Sequence, residues 1–269
     1  MMFVYKEKKG FIMNYFTSGI YGNKALYERI KKILTRPSDT LWILGDIFDG
    51  NDEKPWECLE ILEDIENSPN IHLILGDHEY FHAMRILSMD NPESTEAWID
   101  QLNDLEISAK PLLDYMETLS EDDLLNYAFF LSKCEVSEMI KIGDNYFYLC
   151  HGAPSIRLKS PGGDMAWQYD VVTNSCNIQT MYQTEITNDI RISEYEKQFQ
   201  GIDLSRCHLI VGHDTIQDFI KKGEITIHGL IHKNKKFYIN PGFTTEQQNS
   251  ESWKILGIDA AGFFIQEID

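Results

Sequence analysis

The chain has 269 residues, 43% of them hydrophobic, with 43 acidic against 24 basic side chains and a formal net charge of −19. That length and apolar content can bury a core as one domain spanning 1–269, while a field of that sign repels nucleic acid and anionic membranes, which bind through Lys and Arg. No stretch approaches the roughly 18 apolar residues of a spanning helix, the start lacks a signal-peptide core, and Cys58, Cys134, Cys150, Cys176 and Cys207 form no CxxC pair, as expected of free thiols in a reducing cytoplasm.

In chain order, residues 11–18 read as a strand leading into the turn "TSGIYGN". Asn23 is placed to cap a helix in which Leu26, Ile30, Ile33 and Leu34 recur at helical spacing. "DTLWILGD" (39–46) reads as a buried strand, and Pro55 opens a helix with Cys58, Ile61, Leu62 and Ile65 on one face. "NIHLILGDHE" (70–79) repeats the strand pattern. Strand alternating with helix, polar only at each strand's exit, predicts an α/β core around a largely parallel sheet.

Residues 83–141 are acidic, with Leu and Ile at helical spacings and Pro92 and Pro111 as punctuation, and predict a helical insertion or cap. Strands are expected again at 145–152, 207–214, 224–231, 236–243, 252–259 and 262–268. Between them, 158–206 reads as a loop with short helices.

Four strand exits share one form: an apolar run, a small residue, then a potential ligand. They are Gly45-Asp46-Ile47-Phe48-Asp49, Gly76-Asp77-His78-Glu79, His151-Gly152-Ala153 and Gly212-His213-Asp214. The carboxyl ends of strands in an open α/β sheet line one crevice, so these turns should converge. Two Asp and two His on one point suit a divalent Mn, Fe or Zn ion. Each turn alone is an ordinary cap or structural histidine; their common placement carries the argument.

The series resembles the calcineurin-like metallophosphoesterases, in particular the branch of bacterial Ser/Thr protein phosphatases and dinucleoside tetraphosphatases. The family blocks GDIHG, GDxxDRG, GNHE, HGG and GH correspond to "SGIYGN", "GDIFDG", "GDHE", "HGA" and "GHD" here, in the same order, and "INPGF" resembles the family's closing strand and turn. The resemblance implies a β-sandwich flanked by helices. It also implies that Asp46, Asp77, His151 and His213 hold metal, with Asp77 standing where the family has Asn. His78 would be the general acid, oriented by Asp49, because an alkoxide leaves poorly unless protonated.

Departures bear on the activity. Gly19 and Tyr21 stand where the family has the Asp and His of its first metal, and neither is a good ligand. Gly50 replaces a phosphate-contacting Arg. One ion rather than two is expected, made charge-neutral by two carboxylates. Asp52 and Asp214 are conceivable substitute ligands, and Arg157 a substitute phosphate contact. His82, His228 and His232 read as surface histidines, Lys235-Lys236 as a solvated turn, and Trp167 with Asp170 as either cleft mouth or core. Two functions stay open: a cytoplasmic metal-dependent phosphoesterase acting on a phosphorylated protein or a small phosphoester such as a nucleotide, or a pseudophosphatase that keeps the fold as a binding module. Oligomeric state is not legible.

Overall fold

The computed structural model describes residues 12–105, 107–152, 168–169, 172–173, 206–215, 231–233, 236–240 and 253–268. The anticipated strands at 39–46 and 70–79 are β2 (Thr40–Leu44) and β3 (Ile71–Ile74), which follow β1 (Asn14–Thr17) in parallel register. Between them run α1 (Lys24–Lys31) and α2 (Glu57–Glu66). Asn23 does cap α1, its side chain accepting from the Leu26 amide at 2.9 Å. Pro55 sits in the turn before α2 rather than at its first residue, and Cys58, Ile61, Leu62 and Ile65 form the buried face.

α3 (Asp77–Leu87) leaves β3 after two residues and leads into α4 (Pro92–Asn103), α5 (Lys110–Met116) and α6 (Glu121–Leu131). Asn91 and Ser120 cap α4 and α6 with their side chains. Tyr80, Phe81 and Ile86 of α3 share one apolar cluster with Leu102, Leu112, Met116, Leu124 and Leu131 of the later helices. The helical stretch ends earlier than 141, because Ser137–Ile142 is a strand, β4. The residue pair Gly143-Asp144 turns it into β5 (Asn145–Cys150), with Gly143 at φ 60. That left-handed glycine between alternating apolar residues is the hairpin signal that helical spacing concealed.

β6 (Cys207–Thr215) pairs parallel to β5, followed by β7 (Ile231–Lys233), β8 (Lys236–Asn240), β9 (Trp253–Asp259) and β10 (Gly262–Ile268). The strands form two five-stranded sheets, ordered β10-β9-β1-β2-β3 and β4-β5-β6-β8-β7. The core is therefore not one largely parallel sheet. In the first sheet the parallel strands β1-β2-β3 carry the antiparallel pair β9-β10 on one side, and in the second the parallel strands β5-β6-β8 are edged by antiparallel β4 and β7. The expected strand at 224–230 lies outside the described residues.

The central strands β1, β2 and β6 are buried on both faces, which explains their near-continuous apolar sequences, whereas the edge strands β4 and β10 are largely half-buried or exposed. Phe16, Trp42, Leu44 and Ile74 pack with Phe147, Leu149, Ile210, Phe237 and Ile239 between the sheets. The alternate residues Tyr15, Leu41, Ile43 and Leu73 pack under the helices. Each such side chain contributes about 1.5–3 kcal/mol on burial. Among the described residues, no helix is long and apolar enough to cross a membrane, and Cys58, Cys134, Cys150 and Cys207 are free thiols.

The sheets approach most closely where β1, β2 and β6 end. A Cβ on Gly212 would lie 2.2 Å from the Leu44 carbonyl oxygen and 2.6 Å from Ser18 Oγ. The backbone atom cannot yield, so Gly212→Ala should push the sheets apart and destabilise the fold by about 3 kcal/mol. A urea titration that leaves the midpoint of this variant unchanged would contradict the close approach.

Candidate metal centre

The convergence of strand exits is built from backbone first. The turn after β1 lies against the turn after β2: the amides of Tyr21 and Gly22 donate to the carbonyls of Asp46 and Ile47, each at 2.8 Å. Ser18 Oγ lies 2.7 Å from the Leu44 carbonyl and 3.0 Å from that of Gly212. The amides of Gly212 and His213 both donate to the His151 carbonyl, at 2.8 and 2.7 Å, tying β6 to the exit of β5. Glycine is required at position 45, where φ is 76 and a Cβ would stand 2.4 Å from His151 Nδ1.

Glu79 locks this arrangement, and the sequence reading gave it no role. Its carboxylate is fully buried. It accepts from the amides of Ile47 and Phe48 through Oε1 (2.8 and 2.9 Å), and from Gly76 and Asp46 through Oε2 (3.0 and 3.1 Å). The signal was available: Glu79 stands three residues after Gly76, the capping-box spacing. Four amide donors offset the cost of desolvating the charge.

Held by these turns, Asp77, His151 and His213 bring one ligand atom each into a common group, while Asp46 falls into a second, overlapping group with Asp77 and His78. His151 Nε2 lies 3.2 Å from Asp46 Oδ1, 3.3 Å from Asp77 Oδ1 and 3.1 Å from His213 Nδ1, and Asp77 Oδ2 lies 3.7 Å from His213 Nδ1. His151 Nδ1 faces the Leu44 carbonyl at 2.7 Å. Donation there leaves Nε2, once its own proton is displaced, as the nitrogen that would face an ion, the arrangement metal-binding histidines show. Donor atoms about 2.0–2.2 Å from a shared ion stand roughly 3.0–3.5 Å from one another. The donor set and its spacing therefore fit a divalent cation.

Charge points the same way. Burial pushes the Asp46 carboxyl up to about 7, opposed by the His151 charge and reinforced by that of Asp77. Burial would raise Asp77 too, but the hydrogen bond from His151 and the positive charge of His78 hold it well below the usual carboxylate range. Burial lowers His151, and Asp46 and Asp77 outweigh that to raise it to about 9. Protons thus supply the positive charge that two buried carboxylates demand, and a dication would displace them.

Beside this cluster, Asp49 Oδ2 meets His78 Nδ1 at 2.7 Å, so the expected Asp49–His78 pair is in contact. Burial works against protonation of His78, yet the hydrogen bond to Asp49 and the charges of Asp77, Asp49 and Asp46 raise it to about 10. His82 is not a surface histidine. It is fully buried, with Nε2 at 3.1 and 3.3 Å from the two oxygens of Asp49. One helical turn separates it from His78, so the two share a face of α3.

Tyr21 is buried, and its hydroxyl donates to Asp46 Oδ2 at 2.8 Å. Gly19 lies on the same turn at φ 70, its amide on the Gly45 carbonyl at 3.3 Å. Gly50 closes the β2 turn at φ 72, and Asp52 is exposed beyond it rather than in the cluster. Arg157, Trp167, Asp170 and His228 lie outside the described residues, as do the side chains of Asp214 and His232.

Replacing Glu79 by Gln keeps its shape but leaves one acceptor oxygen where two are used and sets an NH2 group against amide donors. Glu79→Gln should cost at least about 3 kcal/mol of stability and weaken Mn binding by an order of magnitude, read by denaturation and by calorimetry.

Residues 18–214 match the sequence profile of the calcineurin-like phosphoesterases. Among solved structures, a hypothetical protein from Pyrococcus horikoshii OT3 superposes with a TM-score of 0.52 at 17% identity, over 96% of this chain and 87% of that one. A candidate diadenosine tetraphosphatase gives 0.50 at 14% identity, over 97% and 96%. These identities speak to a shared fold. No curated protein is significantly similar in sequence. With the profile spanning most of its length, the chain belongs to the calcineurin-like phosphoesterase family, hydrolases that use divalent metal.

Proposed function

We infer that the chain hydrolyses phosphomonoesters, on a phosphorylated protein or a small phosphoester such as a nucleotide, using one divalent ion held by Asp46, Asp77, His151 and His213. The observation that carries this reading is the set of ligand-atom separations of 3.1–3.3 Å around His151 Nε2, beside the 2.7 Å Asp49–His78 contact. Two carboxylates and two imidazoles suit Mn, Fe or Zn. Bound there, such an ion supplies Lewis acidity and lowers the pKa of water toward neutrality.

The residues of the chain do the rest. His78 donates Nδ1–H to Asp49, which fixes the ring and leaves Nε2 as the acid. His82 holds the other side of Asp49, so the carboxylate cannot swing away. A His78 pKa of about 10 keeps the ring charged across neutral pH. Neutralising Asp46 and Asp77 with a dication would lower that value, making the proton easier to give. The charged ring also draws an anionic phosphoester into a molecule that otherwise repels it.

With excess Mn and an aryl phosphate, His78→Ala should lose about 10²–10⁴-fold in kcat. Wild-type turnover no faster than this variant would instead mark a binding module without catalysis. The acid must be protonated, so activity should fall as pH rises through the His78 pKa. Asp49→Asn removes a charge that raises it, and should shift that alkaline limb to lower pH.

A further inference from the structure

Asp46 uses its two carboxylate oxygens in different ways. Oδ1 faces His151 Nε2 at 3.2 Å, inside the ligand cluster. Oδ2 accepts the Tyr21 hydroxyl at 2.8 Å. Tyr21 grips the same residue a second time, through its amide on the Asp46 carbonyl at 2.8 Å. Its ring stands edge-on to His78, with centroids 5.9 Å apart, and only 4% of the residue is exposed. The backbone pays for this placement, since Tyr21 sits at φ 47, a left-handed conformation that bulky L residues avoid at a cost of roughly 1–2 kcal/mol.

We propose that Tyr21 is a positioning residue that makes this a one-ion centre: its phenol occupies the oxygen through which Asp46 would reach a second cation, and aims the other oxygen at the first. The proposal rests on the ligand reading above and adds a cause for the count. The hydroxyl points its donor at Asp46 Oδ2, where a second site would need a lone pair. Gly19, the neighbouring position on the turn, brings no side chain to assist a second ion. A bond donated to a buried carboxylate oxygen also satisfies charge that a second ion would otherwise neutralise. The strained backbone, doubly bonded to Asp46, keeps the ring from rotating out.

The probe is Mn2+ alone, titrated calorimetrically into metal-free full-length protein and followed by electron paramagnetic resonance. Wild type should take up one equivalent and show the hyperfine pattern of an isolated Mn ion. Tyr21→Phe keeps the ring and removes the hydroxyl. It should bind Mn about tenfold more weakly, the order of one lost hydrogen bond to a charged group, while a single cooperative melting transition in the metal-loaded state shows that the fold persists. Gly19→Asp with Tyr21→His should take up two equivalents and show a spin-coupled pair. Two ions in the wild type, or Tyr21→Phe binding one ion as tightly as wild type, would overturn the role of Tyr21 while leaving the ligand set standing. No uptake by the wild type would remove both.

Discussion

A single buried carboxylate sets the geometry on which the rest of the centre depends. Glu79 gathers the amides of Gly76, Asp46, Ile47 and Phe48, and so fastens the turn after β3 to the turn after β2. Without an acceptor between them these amides would be buried donors lacking partners, each costing about 1–3 kcal/mol. Glu79 also sits in the first turn of α3, where the helix dipole favours negative charge. One residue therefore caps the helix that carries Asp77, His78 and His82 and places the loop that carries Asp46 and Asp49.

That scaffold allows the protein to hold charge it could not otherwise bury. Asp46, Asp49 and Asp77 are all nearly inaccessible, and an isolated ionised carboxylate in such a place is strongly disfavoured. The structure resolves this by separation. Asp49 is matched by two imidazoles from α3, and burial's upward push on its carboxyl is overcome by His82 and His78, so it stays below the ordinary range. Asp46 and Asp77 share His151 and leave room for a dication. On the proposed reading, one carboxylate would serve the histidine acid and two would serve an ion. Among the described residues, the left-handed non-glycine ones, Tyr21, Asp46 and Asp49, all lie in these turns, as expected where function outweighs local preference.

How much of this the sequence discloses follows from the range of each interaction. Apolar runs ended by a small residue and a polar one placed Asp46, Asp77 and His151 just past β2, β3 and β5, whereas His213 lies within β6, which runs on to Thr215; β9 and β10 were legible as well. The edge strand β4 was not, because a run of helices precedes it and its six residues fit either period. His82 was misread as surface since exposure cannot be seen in a lone histidine, although its spacing from His78 put the two on one face. The sheet was read as parallel because the βαβ alternation of residues 14–74 dominates the pattern; the flanking hairpins add strands from far along the chain.

Tyr21 marks the boundary of such reading. Its chemistry as a poor ligand follows from the letter alone, but the bond to Asp46 spans 25 residues and depends on two turns meeting through backbone. A loss in the motif is visible locally; what replaces it is not. In place of a cation that must be captured from solution, the fold places a covalently attached donor beside the carboxylate, always present and independent of metal supply. The exchange has a cost in Lewis acidity, since a phenol cannot polarise a phosphoryl oxygen as an ion does. The Tyr21 hydroxyl satisfies the outer oxygen of Asp46 and fixes its orientation, so on the proposed reading the remaining ligands would meet one ion in a prepared geometry. On the proposed reading, such a centre would stay ordered with a single ion, which would reconcile Gly19 and Tyr21 in the first turn with the carboxylates and imidazoles gathered by the other three.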